Sequence, residues 1–320
     1  MGDFQILSYN QEKELTIEER RNYYEALRNY LKNIKVSLPE QILTKLREAL
    51  NKHLIREAID LIKGYELIVT GRENIPSRPV IYASTHQDYN DHFNAVLSIP
   101  DHAIILNTNT VTPLFKFIMG FNGITYVNRS LAEERFKSKL QLMKHVAKGK
   151  SIIVFPEGSY NCSPNKLLLP IHTGVIDIAR KTGAPIVPMV QEYTYYPDVD
   201  DFKKIAKSCH VHFGTPIYVH VEDDLHEKKE QLIEQLATIR YRLLEEKGLF
   251  RREDISNMEY RNFLKSRLDT WRSIKVDYNI EKQSIYGYGD EKYLFTHINA
   301  VPINDNGTFP VDYTSKKLTI

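Results

Sequence analysis

Cysteine is scarce: the chain of 320 residues holds two, Cys162 and Cys209. That excludes a disulfide framework and suits a reducing compartment, with both thiols expected as small buried side chains. A charge excess is missing too, since 43 Lys and Arg face 41 Asp and Glu for a formal +2. Near-neutrality gives no general attraction to nucleic acid, and any attraction to a membrane must be local. No segment approaches the roughly 18 apolar residues that span a bilayer. The opening MGDFQILSYNQEKEL lacks a basic region followed by an apolar stretch, so no secretory leader is expected. Ile6 stands where a myristoylation site needs Ser or Thr, so no lipid anchor is expected either. What remains is a cytoplasmic protein of one sizeable domain with appendages.

Two helices open the chain. Thr16 and Glu19 form a capping box, after which Ile17, Tyr24, Leu27, Leu31 and Ile34 recur along one face. Ser37, Pro39 and Glu40 repeat the start signal, and Ile42, Leu46, Leu50 and Leu54 carry a second helix toward Gly64. Residues 1–64 thus read as a helical hairpin, whose apolar stripes either pack on the main domain or lie on a bilayer. Packing is the commoner fate and the expected one.

From Leu67 the pattern changes to short β-branched runs: LIVT, PVIYAS, HAIIL, ITYV, SIIVF, APIVPMV and HVHF. Helical pieces lie between them, at Asp91 to Ser98, at Leu131 to Ala147 and at Thr173 to Thr182, the last two stopped by Gly149 and Gly183. This alternation predicts an α/β core over 65–222, a mostly parallel sheet flanked by helices. Residues 223–320 are expected to add helices at Asp223 to Lys247 and Asp254 to Trp271, then loops with a strand or two.

The strand PVIYAS runs directly into Thr85, His86, Gln87, Asp88, Tyr89, Asn90, Asp91 and His92. Parallel sheets keep their ligand sites just past such strand ends. Five residues apart, His86 and Asp91 would face different sides of a continuous helix, so they meet only if a turn intervenes. A carboxylate curling back onto the imidazole would fix its tautomer and stabilise the imidazolium. By themselves, a loop His and Asp more often serve as caps or turn formers. Zinc is the other chemistry that His86, Asp91 and His92 allow. However, THQDYNDH lacks the second His of the Thr-His-x-His-x-Asp-His run of metallo-β-lactamase-like hydrolases, and its spacing is one residue too long.

Three further blocks follow His86-x4-Asp91 in order: Gly123, Ile124, Tyr126, Val127, Asn128 and Arg129; Phe155, Pro156, Glu157, Gly158 and Ser159; and Ala184, Pro185, Ile186, Val187 and Pro188. Together with the later FGTPIYV they resemble the lysophospholipid acyltransferase family, the 1-acylglycerol-3-phosphate O-acyltransferases among them. The resemblance runs from Leu67 to Val221. It implies a glycerolipid acyltransferase-type fold, with His86 and Asp91 as catalytic pair. It further implies that Arg129 binds acceptor phosphate, and that Glu157, Gly158 and Ser159 complete the acceptor site. Two positions depart from the family pattern: Asn128 replaces an acidic residue and Tyr160 replaces an Arg that helps hold phosphate. Lys166 is a candidate to replace that charge.

The activity so implied is O-acyl transfer from acyl-CoA or acyl-carrier protein to the hydroxyl of a lysophospholipid such as 1-acylglycerol-3-phosphate. It would use no metal and no cofactor, on the inner face of the membrane as a peripheral protein. The departures at Asn128 and Tyr160 keep a second acceptor class open, a non-phosphate lipid or other amphiphile. Val111 to Phe121, VTPLFKFIMGF, is the candidate lining of an acyl groove or contact with lipid, or else a core helix. A lipid-binding protein without catalysis is disfavoured by the intact His86 and Asp91.

Overall fold

The structure, a computed structural model, describes residues 4–35, 38–50, 57, 60–61, 64–77, 79–88, 90–101, 103–108, 123–127, 132–158, 161, 168–195 and 206–246. Its centre is a seven-stranded sheet of β1 (Glu66–Thr70), β2 (Ile81–Ser84), β3 (Ala103–Thr108), β4 (Ile124–Val127), β5 (Ser151–Val154), β6 (Ile186–Tyr195) and β7 (Ala206–Phe213). The spatial order is β1-β7-β6-β2-β5-β3-β4. Every neighbouring pair is parallel except β6 and β7. The α/β expectation holds, and the long β6 exceeds it. The apolar run ends at Val190, but the strand continues through Gln191 to Tyr195, because those residues pair antiparallel with β7.

Alternation along the strands builds two cores. Ile81, Ala83, Ile152 and Val154 point to one face, whereas Val80, Tyr82 and Ile153 point to the other. The two central strands β2 and β5 are buried along their whole length, as expected for a parallel sheet covered on both sides. The edge strand β1 alternates exposed and half-buried residues.

Seven named helices accompany the sheet in the described residues: α1 (Tyr9–Glu14), α2 (Ile17–Asn33), α3 (Leu38–Leu50), α4 (Asp91–Ser98), α5 (Ala132–Ala147), α6 (Gly174–Thr182) and α7 (Leu225–Glu246). The Thr16–Glu19 box caps α2 as expected. A second box, Ser8 with Gln11, starts the short α1 that periodicity alone did not reveal. On α2, Tyr24, Leu27 and Leu31 are buried, and the two leucines join the same apolar cluster as the sheet and α7. Burial of that kind contributes about 1.5–3 kcal/mol per side chain. Ion pairing adds a clasp: Lys181 Nζ of α6 lies 2.6 Å from Glu12 Oε1, and the Tyr24 hydroxyl donates to Glu12 Oε2 at 3.2 Å.

For α2, packing is therefore the observed fate. That helix packs against α5 and α6, whereas the stripe of α3 behaves differently. Leu38, Ile42 and Leu46 remain exposed on α3. The region after residue 246, including the second C-terminal helix and the tail, lies outside the described residues, as does the Val111 to Phe121 segment.

Candidate active site

Strand register brings the site together. Ala83 pairs with Val154 of β5 on one side and with Pro188 of β6 on the other. Three residues further along each parallel strand stand His86, Glu157 and Gln191. The expected cluster past the carboxyl end of β2 is thus flanked by polar groups from both neighbouring strands at the same level.

The chain after β2 turns before α4 begins. Asn90 N–H donates to Asp88 Oδ1 at 3.1 Å, and Asp91 N–H to the Asp88 carbonyl at 3.1 Å. This turn returns Asp91, the first residue of α4, to the imidazole: His86 Nδ1 is 2.9 Å from Asp91 Oδ2. The same oxygen accepts the backbone amides of Gln87 at 2.5 Å and Asp88 at 2.9 Å. On the other oxygen, Oδ1, the Tyr193 hydroxyl donates at 2.6 Å. The Asp91 carboxylate also sits in the first turn of a helix, where the dipole favours negative charge. Burial nevertheless dominates and pushes Asp91 up to about 6, against the pull of the Tyr193 hydroxyl, the two amides and His92.

The ring of His86 is fixed from its face as well. Phe155, just past β5, stacks on it with ring centres 4.2 Å apart and planes 27° from parallel, and His92 meets it edge-on at 5.3 Å. With Nδ1 committed to Asp91, Nε2 is the nitrogen through which the ring can exchange a proton with a reacting group.

Glu157 is buried beside this pair. Its Oε1 accepts the His86 amide at 3.1 Å, and its Oε2 accepts the Leu169 amide at 2.7 Å. Asn161 N–H donates to the His86 carbonyl at 2.6 Å, so the His86 peptide is held on both sides by the segment after β5. Gly158 permits the tight turn between these contacts, with φ of 68° and its amide on the Phe155 carbonyl at 2.9 Å. Burial pushes Glu157 up to about 7, opposed by the Leu169 amide, the Arg240 guanidinium and the His86 amide. A further buried pair lies behind it, where Arg240 Nε of α7 donates to Glu192 Oε2 at 2.8 Å. Gln87 Nε2 donates to that same oxygen at 3.1 Å and also to the Gln191 carbonyl.

Of the residues singled out in the sequence, His86, Asp91, Glu157 and Gly158 come together. Arg129 and Ser159 lie outside the described residues, as do Asn128, Tyr160, Lys166 and Cys162. No group of three or more His, Cys, Asp or Glu stands ready to hold a metal ion among the described residues. Sequence reasoning passed over Gln191 and Tyr193. Nothing local marked them, since Gln191, Glu192 and Tyr193 are consecutive and all buried, and strand register alone brings Gln191 and Tyr193 to the site.

The acyltransferase family model matches residues 66–192. Curated relatives include the 1-acyl-sn-glycerol-3-phosphate acyltransferase BAT2, chloroplastic, of Brassica napus, 30% identical over 135 residues, covering 41% of this chain and 39% of that protein. A 1-acyl-sn-glycerol-3-phosphate acyltransferase of Saccharomyces cerevisiae is 27% identical, covering 42% and 45%. One of Borreliella burgdorferi is 28% identical, covering 50% and 62%. The chain thus spans between 39% and 62% of the length of these relatives. A solved structure, the 1-acyl-sn-glycerophosphate (LPA) acyltransferase PlsC from Thermotoga maritima, superposes with a TM-score of 0.48 at 17% identity, covering 69% of this chain and 88% of that one. Residues 66–192, the core that carries His86, Asp91 and Glu157, are thus similar in sequence to the acyltransferase family.

Proposed function

We propose that this protein transfers a fatty acyl group from acyl-CoA or acyl-carrier protein to the hydroxyl of a lysophospholipid such as 1-acylglycerol-3-phosphate. The observation that carries the proposal is the 2.9 Å contact between His86 Nδ1 and a buried Asp91 at the carboxyl end of β2. His86 Nε2 takes the proton of the acceptor hydroxyl as its oxygen attacks the thioester carbonyl. The C–S bond then breaks, and the thiol leaves with the proton returned by the imidazolium, which Asp91 stabilises meanwhile. Ester and free thiol are the products, with no acyl-enzyme, metal or cofactor. General base catalysis of this kind is worth roughly 10²–10⁴ in rate.

Arg129 and Ser159 are assigned to the acceptor. Glu157 is assigned to holding the His86 peptide, with Gly158 shaping its turn, since both carboxylate oxygens already accept backbone amides. The reaction is placed at the inner face of the membrane, and the exposed Leu38, Ile42 and Leu46 of α3 support peripheral contact with lipid. No helix among the described residues is long and apolar enough to cross a membrane.

The test is release of free thiol from palmitoyl-CoA in the presence of lysophosphatidic acid, by the wild type and His86→Ala. Release that disappears in the variant supports the reaction and its base. No release with any of several thioesters and lysolipids sinks it. Asn128 and Tyr160 favour a second acceptor class without phosphate. Arg129→Ala separates the two, because only a phosphate acceptor loses affinity severely.

A further inference from the structure

We propose that Tyr193 is a positioning residue for the His86–Asp91 pair, and that Asn94 and Tyr65 extend it into a directed hydrogen-bond relay ending at the Asp91 carboxylate that holds the imidazole. The inference rests on the acyl-transfer reading for the kinetic half of its test.

The relay has one polarity as far as Asp91, which accepts from Tyr193 on one oxygen and from His86 on the other. The Tyr65 hydroxyl, just before β1, donates to Asn94 Oδ1 of α4 at 2.8 Å. Asn94 Nδ2 donates to the Tyr193 oxygen at 2.8 Å. Having accepted there, the Tyr193 hydroxyl directs its own proton at Asp91 Oδ1, 2.6 Å away. Asp91 Oδ2 then meets His86 Nδ1. Asn94 and Asp91 are 0% exposed and Tyr193 is 2% exposed, so these groups have little water to substitute for one another.

The two oxygens of Asp91 carry different duties. Oδ2 takes the imidazole and two amides, while Tyr193 serves Oδ1. A carboxylate withdrawn from water stays ionised only when donors replace its hydration. Tyr193 is a dependable donor, because burial holds its phenol well above 10 and it keeps its proton throughout the working range. Its position comes from the sheet: β6 pairs it with Cys209 of β7, and the Tyr65 ring meets it edge-on at 6.3 Å.

Other charged groups surround Asp91. They are His86 and Asp88 from the loop after β2, His92 from α4, and Glu157 from the end of β5. Cys209 of β7 and Tyr65 face the Tyr193 side, and Arg240 of α7 offsets Glu157. Tyr193→Phe leaves all of these in place and removes one proton donor.

The expected effect is on the proton shared by the pair. Without its Oδ1 donor the carboxylate is less stable as an anion, so the last proton of the pair leaves at higher pH. The acid limb of thiol release from palmitoyl-CoA with lysophosphatidic acid is expected to move up by about one pH unit, the shift of losing one bond to a charged group. On that limb Tyr193→Phe is about tenfold slower at a given pH, and the alkaline plateau is largely kept. The midpoint of the His86 ring signals in an NMR pH titration, identified by their loss in His86→Ala, is expected to move the same way. A merely structural role would instead lower the rate equally at all pH values.

A flat rate loss, or an unmoved NMR midpoint in folded Tyr193→Phe, overturns the relay. Should that variant fail to fold by far-UV circular dichroism, Asn94→Leu decides. A smaller upward move supports the relay there, and no move overturns it. Failure of the wild type to release thiol counts against acyl transfer alone, and the NMR titration then decides the relay by itself.

Discussion

Glu157→Gln tests whether the buried carboxylate after β5 acts as a brace. Its oxygens accept the His86 and Leu169 amides at 3.1 and 2.7 Å, so the site requires two acceptors. Glutamine supplies one and turns its NH₂ toward the other amide. At pH 5 the native carboxyl is protonated, so the cost there is that of one stranded buried amide, roughly 1–3 kcal/mol. Acting against this is the cost of burying the charge, which pushes Glu157 from an ordinary 4.5 up to about 7. The native state therefore holds this proton more tightly than the unfolded chain does. Stability from this group is full below pH 4.5 and is lost as pH rises to about 7, by about 3 kcal/mol at 1.36 kcal/mol per pH unit. Glutamine does not titrate, so the variant lacks that loss. The stability deficit of Glu157→Gln is thus expected to be present at pH 5 and to shrink by about 2.5 kcal/mol at pH 8. Urea unfolding at the two pH values, followed by far-UV circular dichroism, reads both differences. A deficit that is equal at both, or larger at pH 8, refutes the reasoning. It would mean that the amide bonds outweigh burial and that Glu157 ionises at or below its ordinary range.

Two other predictions follow from the fold. Gly71 has φ of +76°, and a Cβ there would run into the Phe213 carbonyl oxygen, so Gly71→Ala is expected to lower stability by about 2 kcal/mol or more and Tm by several degrees in a thermal melt. Leu38→Asp with Ile42→Asp on the exposed stripe of α3 should leave the melt almost unchanged yet reduce sedimentation with anionic liposomes severalfold; unchanged sedimentation removes α3 as the lipid contact.

Residues whose neighbours are close in sequence were the easiest to place. The capping box at Thr16, the helix Asp91–Ser98 and the strand Ile124–Val127 follow from local pattern, because cap, period and stop signals all sit within a few residues of one another. His86 and Asp91 are close enough to meet across one turn, but it was the resemblance to the acyltransferases, not the spacing, that singled them out as a pair. Tyr193 was not legible, because its partner Asp91 lies 102 positions away and only strand register brings them together. The length of β6 was hidden in the same way. Its polar half is stabilised by β7, and hydrophobic periodicity carries no information about a partner strand.

The contacts of Glu157 add to what its residue type implies. A carboxylate in a Phe-Pro-Glu-Gly turn invites assignment to substrate hydroxyls, yet here its oxygens hold the peptide of His86 and that of Leu169. On the proposed reaction its contribution passes through geometry: it holds the peptide from which the imidazole projects, while Phe155 stacks on the ring and Asp91 holds Nδ1. Burying two carboxylates, each held above its ordinary range, is unfavourable for folding. The same withdrawal from water strengthens each contact that aims the base, since the local dielectric is low. Neutralising Glu157 removes that folding cost only as pH rises to about 7 and above, whereas it loosens the hold on the His86 peptide at every pH, so on the proposed reaction Glu157→Gln is expected to be slower at both pH 5 and pH 8 while its stability deficit is confined to the lower pH.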